Sequence, residues 1–83
     1  MTKVKYIVYS RNNCEWCDKA KKLLDEKDLW WAEVNIEANA IAKDQFLQDG
    51  HKTVPQIYEI TIPSYEEKHI GGFKELEKHL NDK

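Results

Sequence analysis

The stretch from Lys3 to Tyr9 constrains the fold more than any other part of this chain, because it predicts a β-strand that is buried on both faces. It is rich in β-branched and aromatic residues, begins with alternating apolar and polar positions, and ends in a continuous apolar run. Such a run is typical of a central strand in a sheet that is covered on both sides. Since 83 residues can form only one compact core, the rest of the chain has to supply both covering layers.

The spacing of apolar residues predicts six further elements, of which three are helices and three are strands. The helices are predicted over residues 15–27, 35–49 and 73–80. Gly50 follows the second helix as a C′ residue does, since glycine readily adopts the left-handed conformation that ends many helices. The strands are predicted over residues 30–36 and 56–62 and over a short stretch that ends at His69 and Ile70.

The order of these elements predicts one four-stranded mixed sheet. The first strand–helix–strand unit should form a right-handed parallel crossover. The last two strands lie too close in sequence for a crossover and should pair antiparallel. The fold class is therefore α/β, with helices on both faces of the sheet. No repeat, linker or low-complexity segment interrupts the chain, so residues 1–83 are expected to form a single domain.

Composition and charge exclude several classes of function. The 13 basic and 15 acidic residues give a net charge of −2, which argues against nucleic acid as a partner, because phosphate neutralisation needs a basic face. No stretch approaches the ~20 apolar residues of a membrane span, and the first apolar run is too short for a signal peptide. We therefore expect a cytoplasmic protein with no membrane partner. In that reducing compartment a pair of cysteines indicates chemistry rather than structural cross-linking.

The two cysteines are spaced Cys14-Glu15-Trp16-Cys17 and lie directly between the first strand and the first helix. At such a position the backbone N–H groups and the positive end of the helix dipole stabilise a thiolate. The pKa of a thiol there falls from about 8.5 to between about 3.5 and 7.5. Cys14 is therefore predicted to be the catalytic nucleophile. Cys17, one turn further into the helix, is predicted to resolve a mixed disulfide formed on Cys14.

Two other interpretations of the cysteine pair remain open from these residues alone. The cysteines could be ordinary core residues, although a position at a strand-to-helix turn disfavours that. They could also supply half of a zinc site, which would need further ligands from the three histidines, His51, His69 and His79. No two of these histidines have the spacing of a zinc-finger pair, so no metal is expected.

Three motifs, in the right order and at close to the right spacing, make the chain resemble the glutaredoxins, most closely their small bacterial and bacteriophage members. They are Cys14-Glu-Trp-Cys17, Thr53-Val54-Pro55-Gln56 and His69-Ile70-Gly71-Gly72-Phe73. The resemblance extends from the first strand to the last helix. It implies the thioredoxin fold, with strand order 2-1-3-4 and three flanking helices, and a cis peptide bond before Pro55.

The resemblance also implies a glutathione-binding site. Family members pair the cysteinyl backbone of glutathione with the residue before the cis-proline, which is Val54 here, next to Pro55. Arg11 and Trp16 occupy the positions beside the glycine carboxylate of glutathione. The γ-glutamyl carboxylate is expected at the helix N-terminus that follows Gly72, at the backbone N–H groups of Phe73 and Lys74.

Three features depart from the family pattern. Glu15 and Trp16 stand where proline and tyrosine are usual. Lys74 and Glu75 replace an acidic pair that often holds the amine of glutathione. Because Lys74 should repel that ammonium group, glutathione is expected to bind more weakly or to rely on Glu75. Finally, the segment 59–68 is expected to be longer than the usual tight hairpin.

These observations lead to three hypotheses. The leading one is a glutathione-dependent dithiol–disulfide oxidoreductase, a monomer without a tightly bound cofactor, that reduces protein disulfides and glutathione mixed disulfides. The second is a redoxin that is reduced by thioredoxin reductase and donates electrons to ribonucleotide reductase; Lys74 and the Glu15–Trp16 pair keep it open. The third, from a different functional class, is an iron–sulfur carrier in which Cys14 thiolates and glutathione from two chains hold one cluster.

Overall fold

The computed structural model describes residues 3–82, which form four strands and three helices. The strands are β1 (Lys3–Ser10), β2 (Trp30–Asn35), β3 (Gln56–Ile62) and β4 (Glu66–Gly71). The helices are α1 (Glu15–Glu26), α2 (Ala40–Gln48) and α3 (Phe73–Asn81). Each predicted element is present, and the largest differences are the start of α2 and the extent of β4.

The four strands form one sheet in the order β2-β1-β3-β4. β1 pairs parallel with β2, with Tyr6 opposite Trp31, and antiparallel with β3, with Ile7 opposite Tyr58. β4 pairs antiparallel with β3 and forms the far edge. Strand order and strand directions confirm the predicted mixed sheet and α/β class.

The main core lies between one face of the sheet and helices α1 and α3. Tyr6 and Val8 point to this face, because alternate side chains of a strand face the same side. There they meet buried apolar residues of α1, β3 and α3, namely Ala20, Leu24, Ile57, Leu76 and Leu80. Burying a large apolar side chain contributes about 1.5–3 kcal/mol. These contacts therefore hold α1, and the cysteines at its start, firmly against the sheet.

Helix α2 covers the other face of the sheet, as predicted, through one buried residue, Phe46. The ring centroids of Phe46 and Tyr9 are 6.4 Å apart. Gly50, just beyond the helix, has a φ of +84°, which confirms its predicted place at the helix end.

The predicted start of α2 at residue 35 is wrong, because the helix begins at Ala40. The side chain of Asn35 accepts the backbone N–H of Glu37 at 2.9 Å. The side chain of Asn39 then accepts the N–H of Ala42 at 3.0 Å and caps the helix. Asparagine side chains that bond to the nearby backbone compete with helical hydrogen bonds, so the stretch between them forms turns instead.

The expected long connection over residues 59–68 is also wrong, because most of that segment is strand. Thr61 lies opposite Glu66, and residues 63–65 make the turn. The turn is closed by the N–H of Tyr65, which donates to the carbonyl of Thr61 at 2.6 Å, and Tyr65 has a φ of +59°. β4 gave a weak strand signal because residues 66–69 are exposed, and an edge strand with charged side chains needs no apolar alternation.

Within residues 3–82, no helix has the length and apolar character that crossing a membrane requires.

Candidate active site

Cys14 occupies the N-cap of α1, directly after the three-residue loop that follows β1. Asn13, the last residue of this loop, has a φ of +56°, a conformation that asparagine tolerates better than most residues. The backbone N–H of Cys17 donates to Cys14 Sγ at 3.1 Å, and the N–H of Asp18 donates to the Cys14 carbonyl at 3.1 Å. The sulfur of Cys14 therefore lies where the free N–H groups of the helix converge.

Cys14 and Cys17 form a disulfide, with their Cα atoms 5.2 Å apart. Cys17 is only 1% exposed, whereas Cys14 is partly exposed. A reactant in solution consequently reaches Cys14 and is shielded from Cys17. This difference in access favours the division into an attacking Cys14 and a resolving Cys17, which stays a prediction.

A charge network fixes the strand that precedes the cysteines. Ser10, which is fully buried, donates its hydroxyl to Glu33 Oε2 at 2.6 Å. Lys21 Nζ contacts the same oxygen at 2.7 Å. The hydrogen bond from Lys21, followed by that from Ser10, lowers the pKa of Glu33. The end of β1 is thus tied to β2 and to α1 immediately before the cysteine loop.

A cleft of about 310 Å³ lies where the start of α1, the segment before β3 and the start of α3 meet. Its lining comes from these three chain segments: Trp16, Thr53, Val54, Pro55, Gly72, Phe73, Lys74 and Glu75. The Val54–Pro55 peptide bond is cis, as the resemblance implied. The tertiary structure therefore brings together three segments that are far apart in sequence.

Trp16 forms one wall of the cleft. Its ring centroid is 5.8 Å from that of Phe73, and Lys19 Nζ lies 4.3 Å from the centre of its ring. Lys19 also lies 3.8 Å from the carboxylate of Glu15. Because Trp16 remains 47% exposed, it is a cleft wall and not a core residue. The Glu15 charge next to Cys14 is partly offset by Lys19.

The start of α3 is held by Glu75. Its Oε1 accepts the backbone N–H of Gly72 at 2.8 Å, which satisfies one donor at this helix end. Gly71 has a φ of +121°, and a Cβ there would lie 2.9 Å from Glu75 Cγ. Glycine is therefore required at residue 71. The Glu75 carboxylate already accepts a hydrogen bond from the backbone.

The segment before β3 is held by Gln56 and His69. The amide of Gln56 donates to the carbonyl of Thr53 at 3.1 Å, and its oxygen lies 2.7 Å from His69 Nε2. Since the amide nitrogen is the donor to Thr53, the amide oxygen is an acceptor and His69 Nε2 carries a proton. Desolvation, and then the neighbouring His51, lower the pKa of His69.

Most of the predicted glutathione-binding residues line this cleft, the exception being Arg11. Arg11 lies exposed in the loop after β1 and does not contribute to the lining. Thr53 lines the cleft although it was not predicted as a site residue; its signal was its place in the quoted Thr53–Gln56 motif. Gln56 and His69 also belong to quoted motifs, but only the fold shows that they meet.

The histidines considered as zinc ligands have other contacts. His79 Nε2 lies 2.7 Å from Glu59 Oε2, and the rings of His51 and His69 are 4.8 Å apart. Across residues 3–82, no three His, Cys, Asp or Glu side chains are grouped to hold a metal ion.

The fold and this site together define a class of protein. A Cys-x-x-Cys pair at the start of α1, in a sheet of order β2-β1-β3-β4 with a cis-proline before β3, is the arrangement of a thioredoxin-fold thiol–disulfide oxidoreductase.

Comparison with known proteins identifies the family. The glutaredoxin family model matches residues 6–60. Glutaredoxin 3 of Escherichia coli is 33% identical over 70 residues, which cover 83% of this chain and 77% of the relative. The structure of glutaredoxin 1 from Francisella tularensis, complexed with cacodylate, superposes with a TM-score of 0.69 at 31% identity and covers 95% of this chain and 94% of that one. The buckwheat glutaredoxin–glutathione complex gives a TM-score of 0.67 at 28% identity and covers 93% and 69% of the two chains. The chain belongs to the glutaredoxin family and is a thiol–disulfide oxidoreductase.

Proposed function

We propose that this chain is a glutathione-dependent oxidoreductase that reduces protein disulfides and glutathione mixed disulfides through Cys14 and Cys17. One observation carries the proposal: a partly exposed Cys14 and a buried Cys17 adjoin Trp16, a wall of the cleft of about 310 Å³. The substrates proposed are disulfide-bonded cytoplasmic proteins, with ribonucleotide reductase as one candidate, and the active form is a monomer.

The proposed reaction begins with the reduced pair. The Cys14 thiolate attacks one sulfur of the substrate disulfide, an S–S bond forms to Cys14, and the other substrate sulfur leaves as a thiolate that takes up a proton. The Cys17 thiol then loses its proton and attacks Cys14 Sγ. This step releases the second substrate thiol and leaves the Cys14–Cys17 disulfide, so the pair has given up two electrons.

Two glutathione molecules return the pair to the dithiol. The first, as a thiolate, attacks Cys14 Sγ and expels the Cys17 thiolate, which is protonated. The second attacks the glutathione sulfur, so that glutathione disulfide leaves and Cys14 is free again. With a glutathione mixed disulfide, the Cys14 thiolate attacks the glutathione sulfur, and the substrate sulfur leaves as a thiolate that takes up a proton. A glutathione thiolate then attacks the glutathione sulfur bound to Cys14, so that glutathione disulfide leaves and Cys17 is not needed.

The cleft offers groups that suit glutathione. Val54 is part of its lining, where an extended peptide could pair with the backbone, and the start of α3 presents N–H groups to a carboxylate. The related buckwheat protein forms a glutathione complex, which supports the same ligand here. We include Arg11 among the proposed contacts. Its long, positively charged side chain lies exposed in the loop after β1 and suits the glycine carboxylate of glutathione.

The test compares wild type with Cys14→Ser and Cys17→Ser on a small glutathione mixed disulfide, with glutathione and glutathione reductase as the electron source. We expect Cys14→Ser to be inactive and Cys17→Ser to retain turnover. Reduction of a protein disulfide should be lost or strongly slowed in Cys17→Ser. The two serine variants are matched controls, since each removes one sulfur from the same motif.

A parallel assay replaces glutathione by thioredoxin reductase. If wild type turns over only with that flavoenzyme, the electron donor proposed here is wrong and the second hypothesis replaces it. Near wild-type activity in Cys14→Ser would contradict the assigned nucleophile.

A further inference from the structure

A second cavity lies on the face of the sheet that α2 covers, away from the cysteines. Its volume is about 300 Å³, at the lower end of the range for ligand sites. Side chains from β1, β3, β4 and the end of α2 line it: Ile7, Tyr9, Tyr58, Ile60, Asp49 and Glu67, together with Gln45.

The cavity lies beside the buried residue by which α2 is anchored to the sheet. Phe46 is the only buried residue of that helix, and its ring packs against Tyr9 and, at 5.2 Å, against His51. Beyond this anchor the apolar side chains of β1 and β3 that line the cavity are only partly buried. Ile7 lies opposite Tyr58 in the register, and Ile60 lies opposite Glu67.

Two aromatic rings are part of the cavity lining. The ring centroids of Tyr9 and Tyr58 are 5.7 Å apart in an edge-to-face arrangement, and the Tyr58 hydroxyl lies 2.7 Å from His51 Nε2. Both tyrosines are half-buried. This arrangement gives the cavity stable aromatic surfaces that a ligand can contact.

The charges at the cavity are negative. Asp49 and Glu67 are its charged residues, and no lysine, arginine or histidine lines it. Within residues 3–82, neither carboxylate takes part in an ion pair. Gln45 donates to Asp49 Oδ1 at 3.1 Å and orients that carboxylate. Burial and then these two carboxylates raise the pKa of Tyr9, in keeping with carboxylates that face the rings.

We propose that this cavity is a docking site for an arginine side chain of a protein partner. A guanidinium group can stack on a tyrosine ring and bond to carboxylates at once. The aliphatic stem of the same side chain would contact Ile7 and Ile60. An anion would be repelled by Asp49 and Glu67, and a purely apolar group would leave both negative charges without a cation.

Arginine suits the cavity better than lysine. The guanidinium is planar, presents several N–H donors in fixed directions and is less strongly hydrated than an ammonium. Here the carboxylates come from two separate elements, the end of α2 and strand β4, so several fixed donors are useful. The proposal does not depend on glutathione or on the chemistry of the cysteines.

The test is a titration followed by ¹H–¹⁵N and aromatic NMR spectra, with Nα-acetylarginine methylamide as the probe. The uncharged citrulline analogue, which has nearly the same shape, and the lysine analogue are the control ligands. We expect the arginine probe to shift the signals of Tyr9, Tyr58 and Glu67. The citrulline analogue should leave them in place, and the lysine analogue should bind more weakly.

The matched variants are Glu67→Gln and Glu66→Gln, which change the same charge on adjacent residues of β4. Glu67 faces the cavity, whereas Glu66 points to the opposite side of the strand. Glu67→Gln should weaken binding of the arginine probe by about fivefold, and Glu66→Gln should change it less than about twofold. The amide spectrum of each variant checks that the fold is kept.

Several results would overturn the proposal. One is the absence of shifts at Tyr9 and Tyr58 on addition of the arginine probe. Equal shifts with the citrulline analogue would show that charge is not recognised. Equal weakening by Glu66→Gln would show that the net charge of the chain attracts the probe and that there is no defined site. Tighter binding of the lysine analogue would show that the cavity does not select a guanidinium group.

Discussion

At the scale of single residues, the side chains at the start of α3 decide what the cleft can bind. Glu75 accepts the N–H of Gly72, so its carboxylate is already committed to the backbone. Lys74, one residue earlier, is exposed and lines the cleft. From the sequence, glutathione was expected either to bind more weakly because of Lys74 or to rely on Glu75. Because Glu75 is hydrogen-bonded to Gly72, it offsets less of the repulsion between Lys74 and a ligand that carries an ammonium group.

Replacing Lys74 with Asp should therefore lower the KM for glutathione, by about two- to fivefold for an exposed charge contact worth up to ~1 kcal/mol. The rate at saturating glutathione should change little, because the proposed exchange uses only the sulfur atoms of Cys14, Cys17, glutathione and the substrate. Steady-state kinetics with varied glutathione measures both quantities. Lys22→Asp, the same charge change at an exposed position of α1 outside the cleft, is the control. An unchanged KM in Lys74→Asp would show that this contact is absent.

At the scale of elements, the edge strand β4 supports the segment that carries the cis-proline. The link runs from His69 on β4 through Gln56 on β3 to the carbonyl of Thr53. It joins the far edge of the sheet to one wall of the cleft. The pattern of apolar residues could not predict this link, since all three side chains are polar and the strand that holds His69 is exposed.

This link predicts a dependence of stability on pH. The pKa of His69 is lowered in the folded protein, so the unfolded chain binds more protons in the range between the folded pKa and the ordinary value near 6.5. The free energy of unfolding should therefore fall as the pH drops below about 6.5, and the loss is complete below the folded pKa. Above that range the contribution of His69 does not change.

The measurement is urea unfolding at a series of pH values in wild type and in His69→Gln. Glutamine cannot titrate in this range but keeps an N–H donor for Gln56. The decline in stability on acidification should be smaller in the variant, and this difference isolates His69 from the other histidines and from the carboxylates. Parallel declines in the two proteins would contradict the assignment.

At the scale of the whole molecule, the two faces of the sheet are covered unequally. On one side α1 and α3 bury a continuous set of side chains between them and the sheet. On the other side α2 contributes Phe46 as its buried residue. The face packed by α1 and α3, called the rigid face below, thus carries the cysteine pair and the start of α3. The face under α2 retains a cavity.

Removing a side chain from the rigid face should be costly. Leu76→Ala, at a position with no exposed surface, should lower the free energy of unfolding by about 2–5 kcal/mol. Leu47→Ala is the matched control, because Leu47 on α2 is 55% exposed, and it should change stability by less than about 0.5–1 kcal/mol. Chemical denaturation of the two variants compares them directly. Equal losses would show that the core does not lie where the structure places it.

The sequence alone was enough for the elements, the strand order, the cysteine pair and most of the cleft lining. These features depend on signals within a few residues, such as the apolar run of β1, the helical stripe of α1 and the spacing of Cys14 and Cys17, or on motifs that resemble a known family. It did not predict the start of α2, where asparagine side chains compete with helical hydrogen bonds. It also missed most of β4, because an exposed edge strand lacks the apolar alternation by which strands are identified.

Only the tertiary structure decided which distant groups meet. The engagement of Glu75 with Gly72, the link from His69 to Thr53 and the position of Arg11 outside the cleft lining depend on the paths of whole elements in space. The same holds for the cavity of Tyr9, Tyr58, Asp49 and Glu67. Local sequence determines the conformation of each segment through nearby backbone and side-chain contacts, whereas a cleft or cavity is the space left where segments fail to fill the gap between them.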